Sequence, residues 1–140
     1  MKTILLTVKG DPSPQPRHQV TRTGRAYIPA EHRIWRWKDL IREAACGHSP
    51  DGPSEDLCEV HLKFFMAIPK SRRKADGTPK ARLAPTCRAD IDNLAKAVLD
   101  CLQGEDCVMV DDRQVVKLTA SKEWTQDEVG RCEIKVKFLP

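Results

Sequence analysis

Hydrophobic positions recur along this chain with two different periods. From residue 57 to 68, Cys58, Val60, Leu62, Phe64 and Met66 alternate with Glu59, His61 and Lys63. A period of two sends successive side chains to opposite faces of a sheet, so this segment predicts a strand with one buried face. Residues 131–139 repeat the pattern, with Cys132, Ile134, Val136 and Phe138 set against Arg131, Glu133, Lys135 and Lys137, and predict a final half-exposed strand. Residues 3–8 are aliphatic and β-branched and predict a first strand that ends at Gly10. Residues 115–122 predict another, with Val116, Leu118 and Ala120 on one face. Elsewhere the spacing changes to three and four. Ile34, Trp37, Ile41 and Ala44/Ala45 form the apolar face of a helix opened by Pro29 and running to about Ala45. Ile91, Leu94, Ala95, Val98 and Leu102 form that of a second helix, beginning near Asp90 and stopped by Gly104.

The connections are equally legible. Residues 11–16 carry Pro12, Pro14 and Pro16, which exclude regular structure. Residues 17–27 place Arg17, Arg22 and Arg25 around a turn at Thr23-Gly24, as a short hairpin or an extended loop. Residues 70–88 form a long loop broken by Gly77 and Pro79, and its length suggests function or mobility. The order β-α-β-α-β-β, with no repeat and no boundary, predicts one α+β domain over residues 1–140: a mixed or antiparallel sheet with two main helices packed on it.

Composition narrows the class. With 140 residues, 40% of them hydrophobic and 31% charged, the chain has the make-up of an ordinary globular domain. The N-terminal apolar stretch, Ile4 to Leu6, is too short for a leader or a membrane span, so the expected location is the cytoplasm. The cysteines at 46, 58, 87, 101, 107 and 132 form no C-x-x-C pair, and the histidines do not sit at zinc-finger spacings. Six reduced, mostly buried thiols are expected.

Charge adds more. The formal net charge is +4, but its distribution is uneven. Residues 1–42 hold nine Lys/Arg against three Asp/Glu, and residues 70–88 hold seven against one. Residues 89–112 reverse this, with Lys96 alone against seven acids. Cationic surface attracts nucleic acid, whereas a bare acidic cluster repels it unless a divalent cation intervenes.

The acids Asp90 and Asp92 fall at the start of the second helix, where a carboxylate also serves as a cap and complements the helix dipole. Asp92, Lys96 and Asp100 share one helix face, and Asp92–Lys96 is a favourable i,i+4 ion pair of about 0.3–0.5 kcal/mol. The same residues suit metal-assisted phosphodiester hydrolysis. Mg²⁺ takes hard oxygen ligands, usually one or two carboxylates with waters and substrate phosphate, and a nearby lysine offsets transition-state charge. Asp90, Asp92 and Asp112, with Lys96, supply these parts. A calcium loop of the EF-hand type is excluded by Asn93 and the absence of a following Gly, and no Gly-rich phosphate loop, nucleophile elbow or H-E-x-x-H is present.

The run Asp90-Ile-Asp92-Asn93-Leu-x-Lys96-Ala-x-Leu-Asp100, followed by Asp111-Asp112-x-Gln114-Val115-Val116 and then residues 117–122, resembles the RusA family of Holliday-junction resolvases. A Gly-x-Pro-x-Pro-x-x-Arg segment ending at Arg17 resembles it more loosely. The resemblance implies a homodimeric α+β endonuclease that binds four-way DNA junctions. It further implies paired symmetric nicks that depend on Mg²⁺, with Mn²⁺ as a substitute, in DNA recombination and repair. It assigns Asp90, Asp92 and Asp112 as catalytic acids and metal ligands, Asp111 as a further ligand, Lys96 as the essential lysine, and Asn93 and Asp100 as structural support. Asp111 and Asp112 stay open as alternatives for the principal ligand of their pair. DNA contacts are expected from Arg17, Arg72, Arg73, Lys74, Lys80, Arg82 and Arg88, and base stacking from Trp35, Trp37 or Trp124, with Trp37 fitting the core. The alternatives are a non-catalytic nucleic-acid-binding protein, whose acids are caps and ion pairs, and a less selective metal-dependent nuclease.

Overall fold

A computed structural model describes residues 2–45, 47–48, 51–78 and 89–140. The two alternating segments become β4 (Cys58–Ala67) and β6 (Arg131–Phe138), which pair antiparallel at the centre of a four-stranded sheet. β1 (Thr3–Lys9) pairs antiparallel with β6 at one edge. β5 (Val115–Thr125) pairs parallel with β4 at the other, giving the order β1-β6-β4-β5. The sheet is therefore mixed, as expected. Gln19–Val20 (β2) and Ala26–Tyr27 (β3) form a separate two-stranded hairpin across the Thr23-Gly24 turn.

α1 (Ile34–Ala45) and α2 (Ile91–Leu102) contact each other and pack on one face of the sheet. Phe64 and Leu62 of β4, Ile134 and Phe138 of β6, Trp37 and Ile41 of α1, and Leu94 and Val98 of α2 interlock in one buried core. α1 begins at Ile34, later than the expected Pro29. The Pro29 carbonyl is consumed by a turn, accepting from the His32 N–H at 3.1 Å and from Trp35 Nε1 at 2.8 Å. His32 Nδ1 then accepts from the Ile34 N–H at 3.0 Å, capping the helix there.

Lys38 lies on the apolar side of α1, only 6% exposed, and its ammonium sits 3.6 Å from Asp100 of α2. Asp100 thus ties the two helices together, at the half-buried end of the helix face that also carries the exposed Asp92 and Lys96. Cys58, Cys101 and Cys132 are buried thiols and Cys107 is half-buried, and none of these four is in a disulfide. Burial pushes Cys101 up to about 11 and Cys132 up to about 12, so both stay protonated and inert. Cys46 and Cys87 lie outside the described residues. No helix among the described residues is long and apolar enough to cross a membrane.

Candidate active site

β4 and β5 run parallel, so the chain between them must return to the starting end of the sheet, and α2 makes that return. The start of α2 therefore lies beside the end of β4, and the end of α2 beside the start of β5. Two hydrogen bonds fix the extremes. Lys122, well along β5, donates from Nζ to the Ala89 carbonyl at 2.8 Å, and Gln103, just past α2, accepts from the Asp112 N–H at 3.0 Å.

Asp90 occupies the N-cap position of α2 with extended backbone, yet its side chain makes no capping bond. The structural role that would explain this acid without function is unused. Asp90, Asp92 and Lys96 are all exposed, and among the described residues none of the three forms an ion pair within 4.0 Å. The proline segment closes over this end of the helix, with the Gln15 N–H donating to the Asn93 carbonyl at 3.0 Å. That bond joins two backbone groups and holds the proline segment against the start of α2, with Arg17 two residues further along the chain. The end of β1 and the start of β6 meet here too, since the Gly10 N–H donates to the Gly130 carbonyl and Asp11 accepts from the Gly130 N–H at 2.7 Å.

The basic segment after β4 continues at the same end. It opens with a 3-10 turn over Lys70–Arg72, and the Lys74 N–H then bonds the Thr78 carbonyl at 2.8 Å. Asp76 accepts from the Thr78 hydroxyl and N–H, which hold its carboxyl below the usual range. These turns leave Lys70, Arg72 and Lys74 exposed, while Arg73 Nε is drawn to the Ile68 carbonyl at 2.6 Å. Lys80, Arg82 and Arg88 lie outside the described residues. A cleft of about 350 Å³ opens beside Ala89, with Asp11, Arg33, Met66 and Trp124 in its walls. Of the three tryptophans, Trp124 alone lines this cleft; Trp37 is in the core, and Trp35 lies over Lys38.

Asp111 and Asp112 stand elsewhere. Asp111 caps the 3-10 turn Asp112–Gln114, accepting from the Arg113 N–H at 2.9 Å and from Arg113 Nε at 3.2 Å. Those bonds hold the Asp111 carboxyl below the usual carboxylate range. Asp112 is exposed. With 12 residues in α2, roughly 18 Å of helix separates this pair from Asp90 and Asp92. Among the described residues no three His, Cys, Asp or Glu side chains of one chain gather closely enough to hold a metal ion. Asp90 and Asp92 lie at one end of α2, and Asp111 and Asp112 beside the other.

Sequence inspection passed over Arg33 and Gln103, and quoted Gln114 only as part of the family motif. Gln114 had a signal: Asp111-x-x-Gln114 is a capping-box spacing, and the structure forms that box. Arg33 and Gln103 had none, since they reach the site only through tertiary contacts.

The sequence model of the family described as endodeoxyribonuclease RusA matches residues 9–137. A protein of Bacillus subtilis (strain 168), YqaN, whose name states no activity, is 29% identical over 143 residues, covering 98% of this chain and 97% of its own. The family match spans both acidic pairs and the whole four-stranded sheet apart from most of β1 and the last residue of β6, and by it this chain belongs to the RusA family of endodeoxyribonucleases.

Proposed function

We propose that this chain is a Mg²⁺-dependent, structure-selective endonuclease that resolves Holliday junctions by paired symmetric nicks in DNA recombination and repair, acting as a homodimer. One observation carries this beyond family membership. The two carboxylates at the start of α2 are exposed and uncapped, at the same end of the sheet as Arg17, Lys70, Arg72 and Lys74. A purely structural acid would be capping or paired. These lie at an end of the sheet where basic residues and a helix N-terminus both favour a phosphodiester.

Asp90 and Asp92 fit a hard divalent cation in type and exposure, and Mg²⁺ needs only one or two carboxylates when waters and a phosphate oxygen complete its shell. When bound there, the ion supplies Lewis acidity toward the scissile phosphate and lowers the pKa of an attacking water; Mn²⁺ supplies the same. The chain's own residues do the rest. Lys96, one turn beyond Asp92, places an ammonium where negative charge grows on the phosphorus-bound oxygens. Arg17 and the segment after β4 fix the strand's path by phosphate contacts that carry no sequence information. Trp124, in the cleft beside Ala89, offers a stacking face for a base displaced near the crossover. Two such sites related by a two-fold axis match the two-fold symmetry of a four-way junction.

The test is cleavage of a labelled synthetic four-way junction, with Mg²⁺ and with EDTA, beside a linear duplex of the same sequence. Metal-dependent paired nicks near the crossover, absent on the duplex, are expected. Asp90→Asn and Asp92→Asn should each lower cutting at least 100-fold while junction binding stays within a few-fold. Cutting retained by either variant, or binding without cutting in both Mg²⁺ and Mn²⁺, would reject the assignment.

A further inference from the structure

Arg22 and Arg25 have no part in the site described so far. They stand on the hairpin of β2 and β3, which belongs to neither the main sheet nor the core. Every residue from Arg17 to Tyr27 is exposed, including Val20 at 67% and Tyr27 at 41%. A two-stranded hairpin that buries nothing is at best marginally stable, so its shape needs other support. Its own polar bonds supply that. The Thr21 N–H donates to the Arg25 carbonyl and the Gly24 N–H to the Thr21 carbonyl, both at 2.9 Å. Thr21 Oγ1 accepts from the Arg25 N–H at 3.0 Å and lies 3.0 Å from the Thr23 hydroxyl. The Tyr27 hydroxyl donates to Gln19 Oε1 at 3.1 Å. Gly24, at φ +85°, takes the left-handed position of the turn. The hairpin is held in shape without being packed.

Its charge has one sign. Residues 17–30 hold three arginines, His18 and no acid. Among the described residues, Arg22 and Arg25 are in no ion pair within 4.0 Å. Both flanks of the hairpin are tied to the end of the molecule that bears Asp90 and Asp92. Before it, the Gln15 N–H bonds the Asn93 carbonyl at the start of α2; after it, Arg33, just before α1, lines the cleft beside Ala89.

Size and residue type select the mode of contact. The major groove of a duplex, about 12 Å wide and 8.5 Å deep, admits a two-stranded ribbon, whereas the minor groove, about 6 Å wide, does not. The arm from Arg17 to Thr21, at about 3.3 Å per residue, spans at most roughly 16 Å, enough for that depth. Arginine presents a planar fork that fits guanine O6 and N7 in that groove; lysine acts toward phosphates as a point charge.

We infer that the β2–β3 hairpin enters the major groove of the duplex arm beside the cut, with Arg22 and Arg25 donating to guanine O6 and N7. The inference takes DNA as the ligand from the function proposed above and is independent of the metal chemistry. Phosphate contacts hold the strand being cut, and the hairpin reads bases in the arm, so it selects among junctions that the acids alone treat alike.

Footprinting of a labelled four-way junction in EDTA, at saturating protein, tests this without cutting. Dimethyl sulfate reports guanine N7 in the major groove, and hydroxyl radicals report the backbone. The wild-type chain should shield guanine N7 in an arm next to the crossover. Arg22→Ala and Arg25→Ala should each expose it again, keep the backbone footprint, and weaken binding about 5-fold or more, the loss of one bidentate base contact. Because both side chains are exposed, these variants should melt with the wild type. Arg22→Lys and Arg25→Lys keep the charge and lose the fork, so they should keep the salt dependence of binding and still lose the shielding. Shielding retained by the lysine variants would reduce the hairpin to a charge contact and overturn the inference. A wild-type backbone footprint with every N7 open would overturn it too. Shielded N7 in a chain that never cuts in Mg²⁺ would refute the nuclease and leave the role of the hairpin standing; metal-dependent cutting with N7 open would do the reverse.

Discussion

Gln114 is the residue on which the position of Asp111 and Asp112 depends. Its Oε1 accepts from the Val110 and Asp111 N–H groups at 2.9 Å each, and its Nε2 donates to the Ser54 and Asp56 carbonyls at 2.8 and 2.7 Å. One side chain thus satisfies four backbone groups and clamps the acidic turn to the segment before β4. Gln114→Leu keeps the volume and strands the Asp111 N–H and the Asp56 carbonyl, while the Val110 N–H and the Ser54 carbonyl keep their bond to each other at 3.3 Å. With the penalty for an unsatisfied buried group at about 1–3 kcal/mol, and partial rescue by water at this rim, a drop of about 2–3 kcal/mol is expected in urea unfolding. Cutting should fall further than stability alone explains, because Asp112 loses its fixed place. Unchanged stability would mean that the turn is held by Asp111 and Gln103 instead. Asp111 itself caps the turn and pairs with Arg113.

At the scale of elements, the acid end of the molecule is held where the loop after β1 crosses the start of β6. Gly130 sits at that crossing. A Cβ there would lie 2.4 Å from the Phe65 carbonyl oxygen and 2.9 Å from Pro12 Cδ. The first of these neighbours is backbone in the central strand and cannot yield, so the proline segment would have to lift. Gly130→Ala should cost about 2–3 kcal/mol, the usual range for overpacking a tight site. It should also weaken junction binding several-fold, because the same segment carries Gln15 to Asn93 and Arg17 to the acids. A stable variant with altered DNA binding would support the positioning role; an effect on neither would contradict it. α2 shows the same economy of position. Its apolar stripe of Leu94, Val98 and Leu102 is fully buried, and this fixes the rotation that leaves Asp92 and Lys96 in solvent.

For the whole molecule, the distribution of charge matters more than its sum. The formal net charge of +4 would give only weak attraction to DNA if spread evenly. Instead, Arg17, Lys70, Arg72 and Lys74 collect at the end that bears Asp90 and Asp92. Binding should therefore depend steeply on salt. Replacing Arg17 or Lys74 by Ala should lower the slope of log K against log salt by about 1 for each phosphate the side chain had neutralised, equally for different junction sequences. A variant that alters sequence preference without altering the slope would place its side chain at a base edge rather than a phosphate. The opposite, uncovered face of the sheet has its own local pairs, such as His61 Nδ1 with the Thr119 hydroxyl at 2.6 Å.

The sequence by itself determined which segments are strands and helices, which side of each is buried, and which residues have the chemistry of a nuclease. Those properties are local. A period of two or of 3.6 is written in consecutive residues, and a run such as Asp90-Ile-Asp92-Asn93 marks a helix start and a family at once. The sequence did not determine distance between segments. Asp92 and Asp112 are 20 residues apart in a motif that reads as one cluster, and only the parallel pairing of β4 with β5 sends them to opposite ends of α2. Likewise, only the packing of α1 on α2 buries Lys38 against Asp100. Strand direction and helix packing are settled by hydrogen bonds and contacts between residues far apart in the chain, and these, not the motif, decide which side chains meet.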